Sequence, residues 1–317
     1  MERNNERIAV IMLITGNLFW GFNNVLTKLA LSVASPWTLL SFRFILAFVL
    51  LSIPVITGRV KIRFRGKKLL PLVLFALVEP LYFFFESFAI ALTNATYTGV
   101  VLALSPIFSI IFAALLIHEY PSRREIFFCM FPILGVLLMA VTGMQLGIMN
   151  PFGIVCLAGV CLSASAIRIT NRGAAMEFSA YERTYAMLLT CCIYFTFRAL
   201  LEARFDLHAY IEPLSHPVFP ASVLGLVLLC SIGSNMLGNY AAGKLTVARY
   251  TALSSVSTLF SLFTGVVFLG EPMTVVSFCG AVMIMIGLWG MSHTRVKKME
   301  HAQHKLHMPH FNYSARS

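Results

Sequence analysis

Two glutamates, Glu79 and Glu86, stand seven residues apart in LVEPLYFFFESFAI (residues 77–90), a run otherwise filled mostly by leucine, phenylalanine, tyrosine and alanine. A carboxyl group kept in apolar surroundings pairs with a cation, binds one, or exchanges a proton near neutral pH, because loss of water favours its uncharged form. On a helix, seven residues make nearly two turns, so both acids share a face with Tyr82 and Phe83 between them. Glu79, near the middle of the run, is a candidate for proton coupling or cation binding. Glu86, nearer its end, is level with Arg43, and a structural ion pair between those two is the competing reading. The aromatic rings offer faces to an organic cation.

Two further stripes carry polar groups. Asn17, Gly21, Asn24 and Lys28 follow at steps of four, three and four, which keeps them on one side of a helix, with Trp20 beside them. They either line a path for a polar molecule or hydrogen-bond neighbouring helices, and Lys28 has the reach to turn outward. Ser231, Asn235 and Asn239 repeat the idea without charge, with Tyr240 alongside. Pro106 lacks an amide and so frees a carbonyl one turn earlier. The expected ligand-contacting set is Trp20, Asn24, Lys28, Glu79, Tyr82, Phe83, Glu86, Asn235, Asn239 and Tyr240. No catalytic residue, cofactor or metal is expected. The histidines are scattered, and those of the tail (His301, His304, His307, His310) drift around any helix that Pro309 would allow. The cysteines lie in apolar stretches without a C-x-x-C pair, as small buried side chains do.

The elements that position these groups can be read from composition. Of 317 residues, 58% are hydrophobic and 12% charged, and the mean hydropathy is +0.82. About 25% charge is usual for soluble domains, so this is a polytopic all-α membrane protein. With roughly 20 apolar residues per crossing, ten spans are expected: 8–30, 36–57, 69–91, 96–117, 125–143, 150–170, 181–200, 220–242, 250–269 and 273–292. The first run is too long for a cleavable leader. The net charge of +11 does not mark a nucleic-acid binder, because Lys and Arg cluster in short segments such as RVKIRFRGKK (59–68). Placing both termini in the cytoplasm leaves only Arg198 and Arg204 outside, with Lys28 and Arg43 inside spans, which sets the orientation.

The sequence also repeats. Residues 104–139 overlie 256–291 at an offset of 152 without a gap, bringing Ser105 onto Ser257, Glu119 onto Glu271 and Gly135 onto Gly287. The same offset pairs Glu79 with Ser231. Each half, 8–143 and 150–292, then holds five spans, and a basic tail occupies 293–317. Five is odd, so the halves enter the membrane from opposite sides, as in many secondary transporters that work by alternating access.

WGFNNVLTKLAL (20–31), LLSFRFILAFVL (39–50) and the E-x-P turn leading into a G-V/L-L-L-M helix, found at 118–139 and as GEP at 270–291, resemble an EamA-type domain occurring twice. His118 departs from the usual glycine. The chain from about residue 8 to 292 is similar to the drug/metabolite transporter superfamily. That resemblance implies a ten-helix carrier of a small organic metabolite such as an amino acid, often an exporter, with a cavity lined by the first, third, fourth, sixth, eighth and ninth helices. No G-x-x-x-x-G-K-[ST] nucleotide loop is present, and proton coupling would rest on Glu79. The alternatives are a channel and an integral-membrane enzyme. Expected partners are the small-molecule substrate and the lipid bilayer of the plasma membrane, with no nucleic acid; a homodimer stays open.

Overall fold

The computed structural model describes residues 2–63, 66–93, 95–105, 107–108, 123–145, 150–245, 247–270, 274–276, 278–287 and 289–290. All regular structure among them is helical. Helix α1 (Glu2–Gly21) continues past Phe22 into α2 (Asn23–Ala30). After these stand α3 (Pro36–Ile56), α4 (Leu70–Leu92) and α5 (Ala95–Val101), the last running on as a short 3-10 turn (Leu102–Leu104). Next come α6 (Arg123–Gln145), α7 (Pro151–Ala174), α8 (Ala180–Glu202) and the short α9 (Leu207–Ile211). Helix α10 (Val218–Gly225) passes through a π-helical stretch (Leu226–Ser234) into α11 (Asn235–Ala242). Helices α12 (Val247–Leu269) and α13 (Phe278–Gly287) close the described chain.

Six stretches among the described residues are long and apolar enough to cross a membrane: Glu6–Ala30, Pro36–Ile56, Leu70–Leu92, Pro151–Ala174, Ala180–Glu202 and Val218–Ala242. Each lies within a few residues of an expected span. The expected spans 125–143 and 250–269 fall inside α6 and α12. Spans 96–117 and 273–292 are described in part, and Pro106, His118, Glu119, Glu271 and the tail lie outside the described residues.

The helix starts are written in the sequence. Ser35 and Asn150 each precede a proline at the first helical position, and their side chains accept from the amides of Thr38 and Phe152. Ser179 and Glu182 form a reciprocal capping box at the start of α8. The faces are sorted as a bilayer demands. On α4, Leu70, Leu74, Leu77 and Leu81 are exposed, while Phe75, Glu79, Tyr82, Phe83 and Glu86 are buried. The polar groups therefore point into the bundle and the leucines out of it.

Close contacts fix how the helices run. Gly159 of α7 lies against the Phe85 ring, Gly153 against Leu92 and Thr93, and Gly173 beside Pro71, so α7 is antiparallel to α4. Gly16 meets Ser234 and Leu237, Gly233 meets Phe19, and Gly225 meets Leu26, so Val218–Ala242 is antiparallel to Glu6–Ala30. Ser41 bonds Thr196, and Ser52 bonds Tyr185, which sets α3 antiparallel to α8. Between α6 and α13, Gly135 faces Gly280 and Ile284, while Gly287 faces Phe128 and Pro132.

Glu182 joins two distant parts of the chain. Beyond its capping role, it takes the Lys67 ammonium at 2.8 Å and the Arg63 amide at 2.9 Å, and it is 5% exposed. Replacing it with alanine removes the cap and leaves several donors unsatisfied. A loss of about 2 kcal/mol is expected, read as a lower thermal midpoint of the purified protein in detergent. Lys67→Met, which spares the capping box, is expected to cost less; equal losses would show that the box contributes nothing.

Candidate functional site

Between the helices lies a cavity of about 160 Å³. Its walls come from α1 (Asn17, Trp20), α4 (Glu79, Tyr82, Phe83), the turn after α5 (Ser105), α7 (Arg168, Asn171), α11 (Asn235, Asn239) and α12 (Tyr250, Ser254). These are the first, third, fourth, sixth, eighth and ninth of the expected spans.

Helix α4 supplies the acid. Pro80 sits inside it, so no amide at that position reaches the carbonyl one turn back, and the backbone beside Glu79 gains an unshared acceptor. Glu79 is 5% exposed, lines the cavity, and forms no hydrogen bond or ion pair to any described residue. Buried polar groups in proteins are nearly always bonded. A carboxyl with no partner among the described residues, on a cavity wall, is set to meet a ligand or a proton.

Helix α7 supplies the base. The contacts of Gly159 with Phe85 and of Gly173 with Pro71 set the register of α7 against α4. By that register Arg168 lies about one turn, or ~4.5 Å along the axis, from the level of Glu79. Arg168 donates from Nη2 to Ser105 Oγ at 2.7 Å, and Ser165 Oγ holds the Ser105 carbonyl at 2.6 Å.

An amide network closes the floor on that side. Asn171 Nδ2 donates to Asn239 Oδ1 at 2.7 Å, and Asn239 Nδ2 donates to Thr184 Oγ1 at 2.8 Å. The fully enclosed Arg183 donates to Asn171 Oδ1 and, at 2.6 Å, to the Asn239 carbonyl. The cavity thus has a carboxyl on one wall, a guanidinium about one turn away, amides at one end and the rings of Trp20, Tyr82 and Phe83 at the other. That set can hold a small molecule bearing both charges.

Of the residues expected to contact a ligand, Trp20, Glu79, Tyr82, Phe83, Asn235 and Asn239 line the cavity. The others do not. Asn24 Nδ2 donates to the Ala95 carbonyl at 3.1 Å. Lys28 Nζ donates to the carbonyls of Ile90 and Thr93, at 3.0 and 3.2 Å. Lys28 thereby ties α2 to the C-terminal end of α4, and Asn24 ties it to the start of α5. Tyr240 packs on the small cluster of Ala9, Leu13, Ala241 and Leu245. Glu86 lies beyond Tyr82, whose hydroxyl donates to Glu86 Oε1 at 2.7 Å.

The direct Arg43–Glu86 ion pair considered from sequence does not form. Arg43 donates from Nε to Ser231 Oγ at 2.7 Å instead. Ser231, expected to share a stripe with Asn235 and Asn239, does not line the cavity with them; its hydroxyl accepts from Arg43. Sequence reasoning passed over Arg168 and Asn171, which lie near the inner end of the expected span, although α7 continues past them to Ala174. It also passed over Tyr250 and Ser254, whose four-residue spacing with Ser257 three further on marks one helix face.

Comparison with known proteins gives three findings. The model of the EamA-like transporter family matches residues 7–141 and again 151–293. A protein named as the uncharacterized transporter YcxC, from Bacillus subtilis (strain 168), is 28% identical over 302 residues, covering 94% of this chain and 97% of that one. A solved crystal structure superposes with a TM-score of 0.62 at 17% identity, over 92% of this chain and 98% of the other, a likeness that speaks to the fold alone.

Proposed function

Since the chain belongs to the EamA-like transporter family, of the drug/metabolite transporter superfamily, we propose that it carries a small zwitterionic metabolite such as an amino acid out of the cell by alternating access, coupled to protons at Glu79. That it is a multi-pass membrane transporter follows from the family and from its apolar helices. The finer reading rests above all on Glu79: a buried carboxyl facing the cavity without a partner among the described residues, with Arg168 about one turn away.

Size and charge support a small zwitterion. A cavity of about 160 Å³ is close to the ~150 Å³ engineered void that admits benzene, and well below the ~300 Å³ and upward of drug-sized sites. An ammonium group suits Glu79, a carboxylate suits the Arg168 guanidinium, and an apolar side chain suits Trp20 and Phe83.

Packing supports two inverted halves of five spans each, 8–143 and 150–292. Antiparallel α4 and α7 are what third and sixth spans become when the second half is turned over. Glu6–Ala30 against Val218–Ala242 is the same pairing with the halves exchanged. The glycine contacts agree to the residue. Adding the repeat offset to Gly135 and Phe128 gives Gly287 and Gly280, so Gly135 on Gly280 and Gly287 on Phe128 are one contact seen twice. Ser105 and Ser257, paired by the same offset, both line the cavity. Two equivalent halves around one polar site can exchange conformations to expose it on either side. The distribution of Lys and Arg supports cytoplasmic termini in the plasma membrane.

Uptake into proteoliposomes of labelled glycine, alanine and serine tests this reading, with methylammonium and acetate as singly charged counterparts. Saturable uptake and counterflow of the amino acids, and neither for the single ions, is the expected result. Equal handling of methylammonium would overturn the zwitterion reading, and flux that neither saturates nor shows counterflow would make the protein a channel.

A further inference from the structure

A second pair of opposite charges lies behind the rings that wall the cavity. Arg43 and Glu86 are both 0% exposed. Arg43 uses Nε on Ser231, while Nη1 and Nη2 find no hydrogen-bond partner among the described residues. Glu86 accepts from Tyr82 on Oε1, and its Oε2 finds none there either. The Asn23 Oδ1 acceptor is likewise unsatisfied.

Asn23 and Glu86 share one level of the bundle. Trp20 packs against Tyr82 and Phe83, with ring centroids 6.2 Å apart in each case, and Lys28 reaches Ile90. Helix α2 therefore runs parallel to α4, with Asn23 level with Glu86. The Arg43 guanidinium lies 4.9 Å from the centroid of the Phe83 ring. A two-nitrogen fork is thus enclosed near two oxygen acceptors, with the donors and acceptors not joined to each other. Enclosing such groups without partners is destabilising, and a polar guest would satisfy them. A guanidinium fork takes a carboxylate in bidentate fashion, and Glu86 Oε2 with Asn23 Oδ1 suits an ammonium.

Tyr82 and Phe83 face both ways. Each lines the cavity of Glu79, yet the Tyr82 hydroxyl is bonded to Glu86 and the Phe83 ring carries Arg43. With Trp20 they form an aromatic partition between two acid–guanidinium pairs. The two acids stand seven residues apart on α4, roughly 10 Å by helical rise.

We propose that Arg43, Glu86 and Asn23 form a second binding station for the same zwitterionic solute, on the outer side of a partition made by Trp20, Tyr82 and Phe83. The solute crosses that partition between the Glu79 cavity and the exterior. This rests on the carrier reading above and adds to it where the solute stops next and which guanidinium holds it there.

Two measurements test it. In the first, Asn23→Cys is exposed to a membrane-impermeant cationic methanethiosulfonate on the outer face of cells, and the adduct at position 23 is read by peptide mass. Modification is expected, and its absence overturns an outward-reaching station. In the second, the double variant Arg43→Gln, Glu86→Gln, in which no lone charge stays buried, is assayed with labelled alanine in right-side-out and inside-out vesicles. The KM for entry at the outer face is expected to rise at least tenfold more than that at the inner face. Equal changes on both faces, or a fall in maximal rate alone, would leave the pair a structural role and overturn the station while the carrier reading stands. A wild-type protein that moves no alanine in either direction overturns the carrier reading, and the station with it.

Discussion

Replacing Glu79 with glutamine is expected to give a folded protein that no longer converts a pH gradient into solute movement. Glutamine keeps the volume and the acceptor oxygen of glutamate, and Glu79 makes no hydrogen bond to a described residue that the change would break. What disappears is the negative charge and the exchangeable proton. If the Glu79 carboxyl both holds the solute's ammonium group and carries the coupled proton, both functions fail together. A hydrogen bond to a charged group contributes about 1.5–3 kcal/mol, so the apparent affinity for alanine is expected to weaken about ten- to a hundredfold. Uptake into proteoliposomes with an imposed pH difference is expected to fall to the level seen without one, at unchanged elution volume in size-exclusion chromatography. Gradient dependence that survives would remove Glu79 from coupling. An unchanged affinity would remove it from binding.

The parts of this site that were legible in the sequence owe their visibility to local rules. Apolar runs of membrane length marked the long helices, and Ser35, Asn150 and Ser179 marked three of their starts. Helical spacing alone put Glu79, Tyr82 and Phe83 on one face and brought Trp20 beside an inward stripe. What stayed hidden depends on contacts between distant segments or on rare backbone geometry. Arg168 and Asn171 lie near the end of an apolar run, where basic residues ordinarily mark the inner membrane surface. Their place on the cavity wall emerges only when α7 packs against α4. The π-helical stretch Leu226–Ser234 has no sequence signature, and Ser231 within it, which looked like a member of the Asn235–Asn239 stripe, is instead held by Arg43. Lys28 and Asn24 have the residue types of a binding site, yet they spend their donors on the carbonyls of Ile90, Thr93 and Ala95. A sequence cannot tell a polar side chain that faces a cavity from one that staples two helices, because both must turn away from lipid.

Gly135→Ala and Gly287→Ala are expected to destabilise the protein strongly, against the usual preference of helices for alanine. In a helix interior, alanine is ordinarily favoured over glycine by about 1 kcal/mol. At Gly287 the added carbon would stand 2.2 Å from Pro132 Cδ and 2.7 Å from the Phe128 carbonyl oxygen. At Gly135 it would stand 2.4 Å from the Gly280 carbonyl oxygen and 2.8 Å from Ile284. Backbone atoms cannot rotate aside as a side-chain tip can, so α6 and α13 must separate, at a cost of about 1–3 kcal/mol or more for such overpacking. Gly173→Ala is the internal control. Its nearest neighbour, Pro71 Cβ, is 4.0 Å from the added carbon, so no comparable loss is expected there. Two further outcomes discriminate between explanations. If Gly135 and Gly287 are equivalent positions of inverted halves, their losses are expected to be similar. And because one displacement of α13 from α6 relieves both clashes, the double variant is expected to lose less than the sum of the single changes. Thermal midpoints of these four variants and the unsubstituted protein in one detergent measure all of this. Full additivity would mean that the two contacts yield independently, and that α6 and α13 do not move against each other as rigid rods.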